Sequence, residues 1–522
     1  MSELEYTVEK AGVHAFLYTA STIIKLIILV ATLMITARFL GPMNYGLYGL
    51  AQIPMSVLIL FTDLGLDAAV LRYSSLYATR GRMCVVSELA RTALATKLLL
   101  SLLVSAPLVL LGEELGVVFS SRSGIGLYVA LTALTLAPQV LVGDLSSLMV
   151  GLGEAWSWTI VGIVQPAIRL LAVVTLFKLV APSIENTIIA TGLSYITALI
   201  IALLLVRKVI SGGGCGLDFK EVLTYALAVY SGSVAGAIVG RLQSYILGFV
   251  TAGLGVLGNA MAGYFNAAYN FLGAVTAVYG AIATPLLPLF VYQSKSGEGN
   301  LEGVAEATLS ALLALTLPLS LFSIVYSGDV IRAVYGFEYV SAAFYYTIIS
   351  LTLLTWPFSV IAGSIIQAEG YKQVILKSNI IGLAAGVTLY TSLGLLLGVP
   401  GLAIAYAAAG VPALVYQLLF LSRRGFEFDY SKYAKIFAAS AVAVASSIPL
   451  AVLLPLSIAR LTLGFLITLL AYSVATAGLH ALTDIELSFL GRVSRSIPVV
   501  GEVVSAYLGL YKRIQDYFAR RF

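Results

Sequence analysis

The hydrophobic residues of this chain come in long runs that are separated by short polar breaks. A helix needs about twenty apolar residues to cross the hydrocarbon core of a membrane, and the runs reach that length repeatedly. No connection between them exceeds about 20 residues, which is too short for an appended soluble domain. The pattern predicts about fourteen membrane-spanning helices, at residues 15–37, 44–71, 87–111, 125–150, 157–180, 187–206, 221–250, 258–292, 303–327, 342–368, 373–397, 400–422, 433–456 and 460–480.

The composition excludes most soluble architectures. Hydrophobic residues make up 60% of the 522 residues and charged residues only 11%, with a mean hydropathy of +0.99. A soluble domain carries about a quarter charged residues, so this chain lacks the charge to cover a water-facing surface. The expected fold class is therefore an all-α polytopic membrane protein.

The positive charges are distributed unevenly among the connections. With the N-terminus inside, about 21 Lys and Arg residues fall on the inner side and about 5 on the outer side. This asymmetry predicts a multi-pass protein of the cell membrane with both termini in the cytoplasm. Residues 483–522 mix basic and apolar positions, which is typical of an amphipathic helix lying on the inner leaflet.

The sequence contains an internal repeat with an offset of 217 residues. A glycine follows span 1 at Gly41 and span 7 at Gly258, and the same offset carries Gly153 onto Gly370. Six spans separate equivalent points, so the two halves have the same orientation and suit two lobes that alternate access. The expected organisation is an N-terminal lobe at 1–210, a C-terminal lobe at 211–425, two additional spans at 426–482 and the tail at 483–522.

Several kinds of chemistry find no support in the residues. Cys84 and Cys215 fall in connections predicted to be cytoplasmic, so no disulfide is expected. His14 and His480 are far apart, and without a Cys/His cluster no metal site of the zinc or iron type is expected. No other cofactor is indicated. The basic residues form no concentrated soluble patch, so nucleic acid is not an expected partner.

Cationic side chains within the spans are candidate functional residues, because each costs about 2.5–3.5 kcal/mol to insert. Lys25 lies near the middle of span 1, Arg169 of span 5 and Arg241 of span 7. Polar residues at helical spacing follow the same faces in equivalent spans of both halves, which suggests a shared, water-filled, cationic cavity suited to phosphate or pyrophosphate. The candidate substrate-binding residues are Lys25, Arg241, Tyr45, Tyr48, Gln52, Asn266, Asn270 and Arg169.

Acidic residues within the spans are candidates for coupling or gating, namely Asp63, Asp67 and Asp144, together with Arg72. Two structural alternatives stay open here. Asp63, Asp67 and Arg72 are equally consistent with a local charge cluster at a helix end, and Arg169 with a packing pair to Asp144. Lys97 lies near the inner end of span 3, where its side chain is expected to snorkel to the surface.

One segment resembles a known family. Residues 37–48, Ala-Arg-Phe-Leu-Gly-Pro-Met-Asn-Tyr-Gly-Leu-Tyr, followed by Asp-Leu-Gly-Leu at 63–66, are similar to the opening of Wzx-type polysaccharide flippases of the MOP (MATE-like) superfamily. The resemblance implies two six-helix lobes plus two helices, around a cationic cavity lined by helices 1, 2, 7 and 8. It also implies an exporter that flips polyprenyl-linked oligosaccharide, with Lys25 and Arg241 as the headgroup contacts.

Two other functions are alternatives. The first is a MATE-like drug or metabolite antiporter driven by H⁺ or Na⁺, in which Asp63 or Asp144 would couple; a cationic drug, however, fits poorly beside Lys25 and Arg241. The second is a membrane glycosyltransferase or polymerase, for which only Glu113 and its neighbour supply outer acidic residues. The sequence favours a flippase and not an enzyme. Its expected partners are the lipid-linked oligosaccharide, membrane lipids and a coupling ion.

Overall fold

The computed structural model describes residues 3–283, 286–295 and 300–479, and the single residues 481, 487, 509 and 511. Within these ranges it describes side chains except at residues 3–20, 232, 233, 235, 236, 281, 282, 288 and 295. The described residues form helices joined by short turns, without a strand. The helices are α1 (Glu3–Ala51), α2 (Ile53–Leu58), α3 (Leu60–Asp63), α4 (Leu66–Thr79), α5 (Met83–Leu110), α6 (Gly112–Ser120), α7 (Gly126–Leu134), α8 (Leu136–Gly151), α9 (Ala155–Leu179), α10 (Ile184–Ile210), α11 (Phe219–Ala252), α12 (Gly255–Ala283), α13 (Leu286–Lys295), α14 (Leu301–Val325), α15 (Ser327–Tyr335), α16 (Ala342–Ile349), α17 (Thr352–Ala368), α18 (Lys372–Leu397), α19 (Val399–Ala409), α20 (Val411–Arg423), α21 (Tyr430–Leu453) and α22 (Ile458–Gly478).

Every predicted span falls on one of these helices or on successive helices. In the described part of the chain, 11 segments are long and apolar enough to cross a membrane. The first, Ser21–Thr79, is 59 residues long and contains two predicted spans. The all-α polytopic fold is thus confirmed, and the count of fourteen is compatible with it.

The boundary between the first two spans is a backbone kink inside α1. Gly41 has φ 71° and ψ 168°, and Pro42 follows it. Glycine adopts positive φ without steric cost, and proline cannot supply the N–H that a continuous helix requires. The kink therefore redirects the chain without a loop.

The repeat predicted from the glycines is visible in the backbone. The span that begins with α7 is interrupted at Thr135, and its counterpart is interrupted between α16 and α17, about 217 residues later. Gly153 and Gly370, which are equivalent by the repeat, have φ of 71° and 75°. Equal breaks and equal turns at one offset confirm the two pseudo-symmetric halves.

The chain divides into two compact units, residues 1–266 and 267–522. The first unit extends past the predicted lobe boundary at residue 210, because α11 and the start of α12 pack against it. The predicted lobe bounds describe the sequence repeat and stay a prediction. The predicted amphipathic tail at 483–522 lies outside the described residues apart from three single positions.

Helix α12 packs on the end of α1 through two repeat-equivalent glycines of the first unit. A Cβ at Gly46 would lie 1.9 Å from the backbone oxygen of Asn259, and a Cβ at Gly263 would lie 2.0 Å from that of Pro42. Membrane helices approach this closely only where small residues meet. Any larger side chain at either glycine would separate the two backbones.

Arg122, in the turn after α6, holds the end of α11 in the same unit. Its Nη2 donates to the carbonyl and hydroxyl oxygens of Thr251, at 2.7 and 2.9 Å, and its Nε donates to Asn259 Oδ1 at 2.9 Å. The last carbonyls of a helix lack internal partners, and a guanidinium can supply several donors to them. Arg122 therefore fixes the junction between α11 and α12.

In the second unit, a buried ion pair fastens the two additional helices α21 and α22. Arg460 Nε donates to both carboxylate oxygens of Asp329 at 2.9 Å, and Arg460 Nη1 donates to the carbonyls of Ala451 and Leu454 at 2.6 and 2.8 Å. A bidentate pair of this kind has a defined geometry as well as a favourable energy. It anchors the turn between α21 and α22 to α15.

The expectation of unpaired cysteines was wrong. Cys84 and Cys215 form a disulfide, with Cα atoms 5.6 Å apart and a sequence separation of 131 residues. The expectation rested on predicted cytoplasmic placement, where thiols are usually reduced. The segment before α11 returns to the start of α5, where Glu88 Oε2 accepts the backbone N–H groups of Cys215 and Gly216 at 2.9 Å.

Loss of this disulfide should lower the stability of the protein. We expect reduction, or the double variant Cys84→Ser/Cys215→Ser, to cost about 2–4 kcal/mol, because the crosslink closes a long loop in the unfolded chain. The measurement is the unfolding temperature in detergent with and without reductant. The double variant is the control and should not respond to reductant; an equal unfolding temperature for oxidised and reduced wild type would contradict the bond.

Candidate functional site

A fully buried lysine in α5 collects three carboxylates of the first unit. Lys97 has 0% exposure, and its Nζ lies 2.7 Å from Asp63 Oδ1, 2.5 Å from Asp67 Oδ1 and 3.5 Å from Asp144 Oδ1. The carboxylates come from α3, α4 and α8. We call Lys97, Asp63, Asp67 and Asp144 the acidic cluster.

The turn between α3 and α4 aims two of these carboxylates at the lysine. Leu64 and Gly65 both have positive φ, 47° and 81°. Asp63 accepts the backbone N–H of Gly65 at 3.1 Å and that of Asp67 at 3.0 Å, so it caps the start of α4. A capping carboxylate is fixed by its own backbone contacts and can still bind a cation with its free lone pairs.

The charges of the acidic cluster do not balance. One ammonium faces three carboxyl groups, of which Asp144 is 1% exposed while Asp63 and Asp67 are 37% and 41% exposed. A buried ion pair is favourable only when its partners are fully satisfied, and surplus negative charge in a low-dielectric interior attracts a further cation. The cluster therefore carries surplus negative charge when its three carboxyl groups are ionised. In the described residues, no group of three or more His, Cys, Asp or Glu side chains is arranged to hold a metal ion.

The expectation that Lys97 snorkels was wrong. Its side chain points into the unit because Asp63, Asp67 and Asp144 provide a stronger partner than the distant surface. Sequence spacing conceals this, since the carboxylates lie 30 or more positions away on other helices. The signal that the sequence offers is the number of charges within the spans. Three carboxylates in apolar spans require a cation, and Lys97 is the cation in span 3.

Arg72 lies apart from the acidic cluster. Its guanidinium carbon stands 4.3 Å from the ring centre of Tyr225 and 5.6 Å from that of Tyr73. Tyr73 in turn donates its hydroxyl to Glu221 at 3.1 Å. The exposed Arg72 therefore belongs to an aromatic contact between α4 and α11, and its gating role stays a prediction.

Three of the predicted binding residues meet inside the first unit. Arg169 Nη2 donates to the hydroxyl of Tyr48 at 3.1 Å, and Gln52 Nε2 contacts the Tyr48 carbonyl at 3.4 Å. The packing pair of Arg169 with Asp144 is not formed, since Asp144 belongs to the acidic cluster. Tyr45 is buried next to Tyr48, with ring centres 6.3 Å apart.

The two predicted headgroup contacts have different surroundings. Lys25 is exposed, and no carboxylate pairs with it in the part of the chain that is described. Arg241 is half-buried, and its Nε donates to the carbonyl of Ser56 at 2.5 Å. That carbonyl lies where α2 gives way to α3, so Arg241 also supports a helix break.

The remaining predicted residues are the asparagines of α12. Asn266 is half-buried, and its Nδ2 would lie 2.3 Å from a Cβ at Gly49, so it packs directly on the α1 backbone. Asn270 lies one helical turn later, in the second unit. The structure therefore gathers Tyr48, Gln52 and Arg169 in one place and the three aspartates in another.

Comparison with known proteins identifies relatives of the sequence and of the fold. A sequence profile of the family described as "Polysaccharide biosynthesis protein" matches residues 11–293, just over half of the chain. No curated protein matches the sequence significantly.

Solved structures of the same fold are transporters and flippases, not enzymes. The lipid II flippase MurJ, in an inward closed conformation, is 14% identical with a TM-score of 0.72, covering 89% of this chain and 98% of that one. An inward-facing multidrug resistance MATE transporter of the MOP superfamily is 14% identical with a TM-score of 0.60, covering 77% and 98%. A variant of the Vibrio cholerae MATE transporter VcmN is 15% identical with a TM-score of 0.57, covering 80% and 98%. The fold is of the MurJ and MATE type.

Removal of the ammonium from the acidic cluster should destabilise the first unit. We expect Lys97→Met to cost about 3–5 kcal/mol, because it leaves buried carboxylates without a partner. The measurement is the unfolding temperature of the purified protein. The double variant Lys97→Met/Asp144→Asn should recover part of the loss, and Lys178→Met, an exposed lysine on α9, is the matched control. A Lys97→Met protein as stable as wild type would show that the cluster is dispensable.

Proposed function

Because this chain belongs to the polysaccharide biosynthesis protein family, we propose that it is a flippase. In this proposal it moves an oligosaccharide linked to polyprenyl phosphate or pyrophosphate across the cell membrane by alternating access. The family match and the MurJ-like fold support a transporter of lipid-linked substrate. The charged side chains within the spans indicate the nature of the headgroup.

The observation that carries the proposal is the contrast between two membrane lysines. Where the chain buries Lys97, it supplies three carboxylates. Where it exposes Lys25 in an apolar span, the described residues offer no carboxylate. An ammonium in such a place is costly unless an anion meets it. The phosphate or pyrophosphate of a lipid carrier is an anion that reaches this depth, and its sugars remain in the aqueous cavity.

Arg241 is the second proposed headgroup contact. A guanidinium has five N–H donors, so its Nε can hold the Ser56 carbonyl while its terminal nitrogens bind phosphate oxygens. Tyr45, Tyr48, Gln52, Asn266, Asn270 and Arg169 stay predictions for substrate contact.

The acidic cluster is the proposed coupling site. Its surplus of negative charge suits a coupling ion, H⁺ or Na⁺, and Asp63 and Asp67 are exposed enough to exchange it. The same surplus favours the second candidate function, a cation-coupled antiporter like the multidrug MATE transporters. Lys25, which has no carboxylate partner among the described residues, argues for an anionic substrate and against a cationic drug. The positive-inside asymmetry supports cytoplasmic termini.

Replacement of Lys25 should weaken headgroup recognition. We expect Lys25→Ala to reduce the flipping rate of a fluorescent short-chain polyprenyl-pyrophosphate oligosaccharide by about tenfold or more, because a charge-assisted contact is lost. The measurement is leaflet translocation in proteoliposomes. Lys377→Ala, an exposed lysine on α18, is the matched control. Normal flipping by Lys25→Ala would refute its role, and no flipping by wild type, with export of cationic dyes instead, would favour the antiporter.

Neutralisation of a half-exposed aspartate should uncouple the protein from its ion gradient. We expect Asp67→Asn to retain the flipping rate measured without a gradient and to lose the acceleration by an imposed proton or sodium gradient. Asp218→Asn at the start of α11 is the control, since asparagine caps a helix as well as aspartate does. A full response to the gradient in Asp67→Asn would exclude coupling through this carboxylate.

A further inference from the structure

A small polar cavity lies within the first unit, around the residues that meet at Arg169. Its volume is about 120 Å³ and its lining contains Tyr48, Gln52, Gln139, Arg169, Thr191 and Tyr195. They come from α1, α8, α9, α10 and the break after α1. The cavity thus lies between helices of one unit and does not depend on how the two units are arranged.

Two proline-containing helix segments border this cavity. Gln52 lies between α1 and α2 and Thr135 between α7 and α8, and both keep helical dihedral angles. Pro54 and Pro138 follow them and lack the N–H that a continuous helix would donate. Gln52 and Thr135 therefore line the cavity where the helical hydrogen-bond pattern is incomplete.

The charge in the cavity is not compensated by the described residues. Arg169 Nη2 donates a hydrogen bond to the hydroxyl of Tyr48. The buried Nε of Arg169 has no hydrogen-bond partner in the described part of the chain. No lining residue is acidic. Asp63, Asp67 and Asp144 contact Lys97 and do not line this cavity. A half-buried guanidinium with a buried, unpartnered Nε favours an anion as its counter-charge.

The other polar residues of the lining supply further donors. Arg169 occupies only the acceptor side of the Tyr48 hydroxyl, so the hydroxyl proton is available to an anion. Tyr195 contributes a second hydroxyl and Gln139 an amide group. A lining with several N–H and O–H donors and no carboxylate favours negative charge.

The volume limits the size of the occupant. The cavity is small, at about 120 Å³. Pockets for drug-sized ligands are several times larger, at about 300–1,000 Å³. An oligosaccharide therefore does not fit, whereas a single small ion does.

We propose that this cavity is a binding site for a small monovalent anion of the class of chloride or a singly charged phosphate. Arg169 provides the positive charge, and Tyr48, Tyr195 and Gln139 provide the surrounding donors. The site goes beyond the proposed flippase function, because its occupant is too small to be the glycan headgroup. It assigns Arg169 and Tyr48 to this ion and leaves Lys25 and Arg241 to the substrate.

The test is anion-dependent thermal stabilisation of the full chain in a phosphate-free, uncharged detergent. Ligands that bind only the folded protein raise its unfolding temperature in proportion to their occupancy. We expect chloride or inorganic phosphate to raise the unfolding temperature of wild type saturably. Gluconate, which is too large for the cavity, should have no effect at the same ionic strength. An equal response to all three salts would overturn the proposal.

Three variants separate binding from a structural role of Arg169. Arg169→Gln should reduce anion affinity by about tenfold or more, because a charged hydrogen bond is lost, and Arg169→Lys should restore part of it. Lys178→Gln removes a charge from the same helix at an exposed position and should respond like wild type. If Arg169→Gln fails to fold, Tyr48→Phe is measured instead. Anion affinity unchanged in the folded variants would overturn the proposal.

Competition with a soluble short-chain prenyl phosphate identifies the source of the anion. Absence of displacement would assign the site to a free ion, as proposed, whereas displacement of chloride would assign it to a lipid-borne phosphate and would overturn a site separate from the substrate. Lys25→Ala should keep the anion response while it loses flipping. Failure of the flippase proposal is thereby distinguishable from failure of this one.

Discussion

The hydrocarbon core of a membrane cannot hydrate a charge, and most of the polar structure of this protein follows from that constraint. Lys97 is fully buried because side chains from three helices place carboxylates around its ammonium group. In the second unit, Asp329 and Arg460 neutralise each other beside the additional helices α21 and α22. Among the described residues, Lys25 and Arg169 have no carboxylate partner, and the proposed contacts with anions are built on these two side chains.

The backbone is subject to the same constraint. Membrane helices normally satisfy all their hydrogen bonds internally, so each interruption needs a local reason. The kink at Gly41 turns the chain, and the turn at Leu64 lets Asp63 cap α4. The prolines that follow Gln52 and Thr135 leave the helices beside the polar cavity without a donor. Helix breaks and buried charges thus occur together in the first unit. This association is expected where a helix bundle has to bind ions and also change conformation.

The spans and the repeat were predictable because they depend on local patterns. A run of twenty apolar residues predicts a crossing helix whatever surrounds it, and Gly153 and Gly370 have similar positive φ because each lies in the turn that ends a helix, where glycine meets no steric cost. The partners of Lys97 and the disulfide between Cys84 and Cys215 were not predictable from spacing. Both join residues at least 30 positions apart, and only tertiary packing decides which helices meet. The polar cavity around Arg169 was predictable only in part for the same reason. Arg169 and Tyr48 were singled out, but no helical stripe of polar residues indicates Gln139 and Tyr195.

The central claim is that an anionic lipid-linked glycan is carried by alternating access between the two repeat-related halves. Paired spin labels test it at repeat-equivalent exposed positions, Leu127 with Phe344 on one membrane face and Trp156 with Gln373 on the other. The account predicts that a polyprenyl-pyrophosphate oligosaccharide changes the two distance distributions in opposite directions, with one face opening as the other closes. Distances that stay constant with saturating substrate, or that change in the same direction on both faces, would contradict it.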